Sequence, residues 1–474
     1  MSQQAASTSI ASTRLSQSRF HWHTDTFRAL RHRNYQLYFF GQFVSVTGSW
    51  AQSAALTWLA YDLTKELSWP ARVGAMQVLP TFLLGAWGGS LADRWPKRPL
   101  IFVAQAMLLF LALLLGTLVL FGQATPWLLL TVAAAAGIVN AIDLPARLSF
   151  VIDLVGREDL PNAIALNSML FNLARMLGPI VSGVLFAVAG GGRTGQNAAA
   201  VCFLLNGLSF VGVLIALAWM DLPPALVGRA HAKGRDSLGE GFRYVGRHPR
   251  LMLLFLLSGA MSFFGWPILS LLPAVADQRL RGSADCYAWL LSAIGGGAGI
   301  ASLLVASFGS RLPRRWFLAA GVTLASSSLL VLASARSLPL AMTCCAFLGC
   351  GLILFFPTSQ AIVQLNSADR MRGRVMGIWS MVLSGAYPLG HLLAGHAADR
   401  WLKSGIDSAI LSRGLNVQPN EAQGLPLVLA IMGLGIAVSS ALAFALALKA
   451  SASTCRRRLA VTDGEQKCNK ALQL

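Results

Sequence analysis

Runs of twenty or more residues without a single Asp, Glu, Lys or Arg recur along most of this chain, separated by short polar stretches. In the first half they cover residues 36–60, 73–92, 99–142, 160–192 with one interruption at Arg175, and 194–220. About 20 apolar helical residues cross a hydrocarbon core, so the third run is long enough for two crossings. The break Gly122-Gln123-Ala124-Thr125-Pro126 divides it into two helices joined by a tight turn. The second half repeats the pattern at 251–276, 286–310, 316–335, 338–364, 375–398 and 422–448. The spacing predicts an all-α membrane protein of twelve transmembrane helices in two pseudo-symmetric six-helix bundles, at 35–220 and 251–450. Residues 221–250 are polar, with an amphipathic stretch near 237–245, and predict a linker carrying a surface helix. Residues 1–34 and 451–474 are expected to be polar tails.

Composition sharpens this. Of 474 residues, 55% are hydrophobic and only 12% charged, about half the charge share of a soluble domain, which argues against a soluble enzyme. The net charge of +19 does not point to nucleic acid, because the bases are dispersed among the connections and not gathered on one soluble module. Of the 38 Lys and Arg, 28 fall in the segments on the side of both termini and 9 in the opposite connections. The positive-inside rule then predicts a multi-pass protein of the cytoplasmic (inner) membrane with both termini in the cytoplasm. The N-terminal segment has no apolar core and is not expected to be a signal peptide. Cys202, Cys286, Cys344, Cys345 and Cys350 lie in apolar runs and read as packing residues. No His, Cys, Asp or Glu set has metal-ligand spacing, and no glycine-rich loop ends in Lys-Ser or Lys-Thr, so neither metal nor nucleotide cofactor is expected.

The chain also repeats itself. Ser90-Leu91-Ala92-Asp93-Arg94-Trp95-Pro96-Lys97-Arg98, after the second run, aligns with Ser307-Phe308-Gly309-Ser310-Arg311-Leu312-Pro313-Arg314-Arg315, after the eighth. Parallel six-helix repeats of this kind are a transporter signature. On these residues the chain resembles the major facilitator superfamily, whose loop after span two carries a glycine, a leucine, an Asp-Arg pair and closing bases. Gly89, Leu91, Asp93, Arg94, Lys97 and Arg98 match, while Pro96 replaces the usual second glycine. Gly178-Pro179-Ile180-Val181-Ser182-Gly183 resembles the glycine-proline motif of the superfamily's antiporters, with Ser182 in place of one glycine. Arg33-Asn34-Tyr35, Gly48-Ser49-Trp50, Pro145-Ala146-Arg147, Leu160-Pro161-Asn162 and Arg372-Gly373-Arg374 are similar to the branch containing the enterobactin exporter and macrolide efflux proteins. The resemblance spans both halves. It implies rocking-switch alternating access, with Gly89, Leu91, Asp93, Arg94, Lys97, Arg98, Gly178, Pro179, Gly183, Arg372 and Arg374 as gating residues.

Charges inside apolar runs carry the candidate chemistry. An Arg at a helix centre costs about 2.5 to 3.5 kcal/mol on insertion scales, so Arg175 should face a protein or water-filled interior. As a cation there it is expected to attract an anionic substrate group or to take part in proton coupling by favouring the charged form of a nearby carboxylate. Asn172 shares its helical face. Asp143 is the carboxylate best placed for proton coupling; with Arg147 four residues on, the geometry suits a proton carrier and a static ion pair equally. Span one bears a polar stripe of Gln42, Ser45, Ser49 and Gln52, and the second half adds Ser258, Trp266, Gln360, Trp379 and Tyr387. Aromatic faces with scattered amides and hydroxyls suit a bulky amphipathic solute. The sequence therefore predicts a monomeric secondary transporter exporting a siderophore- or drug-like organic molecule, with protons as the counter-substrate and no catalytic site. Rival readings are uptake or lysophospholipid-type translocation by the same fold, and a non-transporting sensor or scaffold.

Overall fold

The computed structural model describes residues 27–189, 195–221, 238–309, 311–368, 371–404 and 424–459. The expected tails up to residue 26 and beyond 459, and the middle of the linker at 222–237, lie outside them. All regular structure among the described residues is helical, as a hydrocarbon environment demands of a chain that must pair its own backbone.

The first half comprises α1 (Arg33–Thr64), α2 (Ser68–Arg94), α3 (Lys97–Leu120), α4 (Pro126–Gly156), α5 (Glu158–Val188) and α6 (Gln196–Trp219). The amphipathic α7 (Leu238–Arg247) follows. The second half comprises α8 (Pro249–Arg279), α9 (Ala284–Phe308), α10 (Arg314–Ser334), α11 (Leu338–Asn366), α12 (Arg372–Ser404) and α13 (Gly424–Leu459). Among the described residues nine of these helices contain a stretch long and apolar enough to cross a membrane; α1, α2 and α12 are as long but more polar. Amides, hydroxyls and His make that difference: Gln42, Ser45, Ser49 and Gln52 in α1, Gln77 in α2, and Ser384, His391 and His396 in α12.

The connections follow from local chemistry. The chain turns between α3 and α4 at Gly122, whose φ of 73° favours a residue without Cβ. Between α4 and α5 no loop intervenes: Gly156 alone, at φ 72° and ψ −179°, reverses the chain. The repeated loops share backbone geometry as well as sequence, since Pro96 enters α3 at φ −59° and ψ 125° and Pro313 enters α10 at φ −59° and ψ 129°.

Within each half, small residues bring helices into backbone contact. A Cβ on Gly297 of α9 would lie 1.8 Å from the Ala346 carbonyl oxygen of α11, and one on Gly349 of α11 would lie 2.0 Å from that of Ile294. The two halves meet along α2–α12 and α5–α9. Toward the α1–α2 turn the contact is tight: Gly395 abuts Ala71 and Leu67, and Gly74 abuts the His391 ring. Toward the opposite end, Gly85 and Gly89 of α2 and Gly373 and Gly377 of α12 have open space where a side chain would be. The halves thus converge at one end and part at the other. The amphipathic α7 packs Val245 against Leu251, Val375, Ile378 and Trp379, and its Glu240 pairs with Arg374.

Candidate functional site

A chamber opens where the halves face each other, bounded by α1, α2, α5, α8, α11 and α12. It comprises two adjoining cavities of about 300 and 360 Å³ that share Arg175, Trp266, Tyr387 and Val78. Arg175 comes from α5, one turn before Pro179. Because proline has no N–H, the Arg175 carbonyl loses its helical donor, and the close approach of Gly295 on α9 fills that side of the helix. Gly178 lets the Trp50 side chain of α1 pass within 2.4 Å of where its Cβ would be, which sets Trp50 beside Arg175. The guanidinium lies 5.1 Å from the Trp50 ring and 5.7 Å from the Trp266 ring, held between the two halves by indole faces. Trp266 stacks on Phe356 with centroids 5.9 Å apart and tilts onto Tyr387 at 6.3 Å. Gln360 and Ser384 add polar groups to the wall. Beyond Tyr387 its ring meets that of His391 at 4.3 Å, and His391 Nδ1 shares a 2.8 Å hydrogen bond with the Ser270 hydroxyl.

A second cavity of about 290 Å³ lies inside the first half and reaches the chamber at Trp50, Ser53, Gln77 and Val78. The stripe of α1 faces it: Ser45, Ser49 and Gln52 line it, and the buried Gln42 accepts a 2.8 Å hydrogen bond from Arg147 Nη1. Asn206 of α6 donates to Gln52 at 2.8 Å. Asp143 is completely buried. Its Oδ2 lies 2.7 Å from Arg147 Nε, and Gln105 of α3 donates to both carboxylate oxygens at 3.1 and 3.0 Å. The carboxylate is therefore held in a four-residue network, Gln105, Asp143, Arg147 and Gln42, that joins α3, α4 and α1. Gln105 Oε1 is buried without a partner.

The basic loop after α2 is tied into its own half. Lys97 donates to the Ser149 carbonyl at 3.1 Å and pairs with Asp153 at 2.8 Å, while Arg98 donates to the Leu217 and Ala218 carbonyls at the end of α6 at 2.8 and 3.0 Å. A cation on the last carbonyls of a helix complements its dipole. Arg94 is exposed, Leu91 half-buried, and the Asp93 side chain lies outside what is described. Arg372 donates to the Gln364 carbonyl.

The opposite end is closed by bonds between the halves. Asp399 of α12 accepts the backbone N–H groups of Leu67 and Ser68 at 2.7 and 2.8 Å, capping the start of α2. Tyr61 donates to Asp277 at 2.8 Å, and Arg72 donates to His396 at 3.2 Å.

Of the residues singled out from sequence, the structure gathers Arg175, Trp266, Gln360 and Tyr387 in the central chamber and Ser45, Ser49, Gln52 and Arg147 around the adjoining one, with Gln42 and Asp143 just behind it. Others lie elsewhere. Trp379 packs beside α7, Ser258 is fully buried with no partner for its hydroxyl, and Asn172 is half-buried outside both cavities. Gly183 packs on Ala288 of α9. Trp50 as a cavity wall, Gln77, Gln105, Phe356 and Asp399 were not foreseen. Gln105 was signalled as the amide in an otherwise aliphatic run. Asp399 was signalled by Ala398-Asp399-Arg400-Trp401, which repeats Ala92-Asp93-Arg94-Trp95 at the other end of the membrane-spanning region.

Comparison with known proteins agrees with this architecture. A family model described as transmembrane secretion effector matches residues 24–417. The multidrug efflux pump Tap of Mycobacterium tuberculosis is 27% identical over 394 residues, covering 80% of this chain and 90% of that one. The staphyloferrin A transporter of Staphylococcus aureus is 24% identical, covering 76% and 89%. Among solved structures, a bacterial homologue of the human lysosomal transporter Spinster superposes with a TM-score of 0.67 at 17% identity, covering 88% and 97%.

Proposed function

This chain belongs to the transmembrane secretion effector family of major facilitator transporters, and from that premise we propose that it exports a small amphipathic organic molecule across the cytoplasmic membrane by proton antiport. It is a multi-pass membrane transporter and not an enzyme. The observation that carries the finer reading is a chamber built from both halves, sealed by Asp399 at one end and flanked by parted glycines at the other. A site between two rigid bundles is exposed to alternate sides as they rock, and residues 35–220 and 251–450 are the rocking units. With both termini in the cytoplasm, the parted end faces inward, the state in which an exporter loads. All twelve long helices then count as spans, α1, α2 and α12 included, whose polar side chains in part face the pathway. The chain acts as a monomer, since each copy holds a whole chamber.

The drive is assigned to Asp143. Charged, it is satisfied by Arg147 and Gln105; protonated, it needs an acceptor, and a rotation of the Gln105 amide presents the unpartnered Oε1. The network suits a carboxylate with two stable protonation states. Arg147 links that change to Gln42 on α1, the helix that also carries Trp50. Similarity to the Tap efflux pump and the staphyloferrin A transporter supports a drug- or siderophore-like cargo. The test is the purified chain in proteoliposomes with an imposed pH gradient: substrate movement should accelerate when protons run opposite to it, and indifference to the gradient in either direction rejects antiport.

A further inference from the structure

The central chamber contains a fixed positive charge, and none of the described residues that line it carries an opposite one. The residues lining its two cavities include Arg175 and neither Asp nor Glu. Asp143, the fully buried carboxylate of the adjoining network, is already paired with Arg147. Among the described residues no carboxylate forms an ion pair with Arg175, and its Nε is buried without a hydrogen-bond partner. What holds the guanidinium is aromatic: the Trp50 and Trp266 rings stabilise a cation through their faces and leave its net charge in place. They also leave its hydrogen-bonding edge unused, and that edge is a fork of donors matched to carboxylate or phosphate oxygens.

We propose that the chamber selects organic anions: molecules with a carboxylate or similar oxyanion, carried on a flat apolar body, that place the anionic group on Arg175 and the body against Trp266, Phe356 and Tyr387. This rests on the reading of the chamber as the cargo site. The aromatic wall is already arranged as stacked and tilted faces, with Trp266 and Phe356 within 22° of parallel. An amphipathic cation of the same shape gains the same wall but meets a like charge with no acid among the described lining residues to offset it. In a partly desolvated cavity that repulsion is far stronger than in water. The site discriminates by an unfavourable contact as well as a favourable one.

The test is equilibrium binding of three probes with one ring system to the purified full-length chain: 2-naphthoate, 2-naphthamide and 2-naphthylmethylammonium. The wild type should bind the naphthoate at least about tenfold tighter than the ammonium, with the amide between. Arg175→Gln should remove the difference between naphthoate and amide, and Arg175→Lys should keep part of it. A wild type with no preference for the anion, whether it binds all three probes or none, overturns the proposal. So does a preference that survives in Arg175→Gln. The wild-type comparison stands even if a variant fails to fold. Movement of the same probes in proteoliposomes separates this proposal from the one beneath it: preferential binding without transport leaves the anion site and removes the export reading, and transport without charge preference does the reverse.

Discussion

The carboxylate of Asp399 holds the backbone N–H of Ser68 at 2.8 Å, across 331 positions of chain and across the boundary between the two halves. Its other oxygen takes the N–H of Leu67. Hydrogen bonds to a charged group contribute about 1.5–3 kcal/mol each, enough to move a two-state equilibrium by tenfold or more. Asp399→Ala should therefore shift the protein toward opening at this end. In a background without native cysteines, Thr57→Cys in the chamber wall should react about tenfold faster with a maleimide that cannot cross the membrane, applied from the outer side. An unchanged labelling rate would show that Asp399 does not hold the halves together.

Asp143→Asn leaves Arg147 charged and buried beside a neutral amide, and breaking one partner of a buried pair costs about 3–5 kcal/mol. The single variant should be recovered at low yield. The double variant Asp143→Asn/Arg147→Met removes both charges and should restore folding, as judged by monodisperse elution in detergent. Its transport should no longer respond to an imposed pH gradient. A double variant that still follows the gradient makes the pair a static ion bridge.

Arg175→Ala and Asp93→Asn should each abolish export while membrane insertion stays at the wild-type level. The reasons differ. Arg175 is the cation of the central chamber, whereas Asp93 sits in the last turn of α2 beside the bases that anchor this hairpin. Whole-cell efflux normalised to membrane-protein abundance checks both, and wild-type rates would remove either residue from the mechanism.

Adjacent glycines of α9 make a matched pair. Gly297→Leu forces the helix away from the Ala346 carbonyl and should destabilise the fold by about 1–3 kcal/mol or more. Gly296 has nothing within 4 Å of a built Cβ, so Gly296→Ala should leave the thermal midpoint of the purified chain unchanged or slightly raised. Equal effects at the two positions would contradict the α9–α11 contact.

Much of this architecture was readable from the chain. The crossing segments announced themselves as charge-free runs, α7 as a strongly amphipathic stretch, and Arg175 as a cation that such a run does not tolerate without a partner surface. What sequence could not supply was which neighbours a helix face meets at each depth along its axis. Trp379 and Tyr387 lie eight residues apart on α12, yet one packs beside α7 and the other lines the chamber. Cross-helix partners were equally hidden: Gln105 meets Asp143 from 38 residues away and Asn206 meets Gln52 from 154, distances over which local pattern carries no register. Asp399 escaped for another reason. Its run repeats the basic loop after α2, but at the opposite end, where a comparison of equivalent loops does not look.

The missing loop at Gly156 has a mechanical meaning. Asp143 lies thirteen residues before it and Arg175 nineteen after it, roughly 20 and 28 Å along their axes at about 1.5 Å per residue. With a single residue as fulcrum, α4 and α5 are the two arms of one lever. A tilt of the arm that carries Arg175 is delivered to the arm that holds the Asp143–Arg147 pair, with no slack of intervening chain to absorb it.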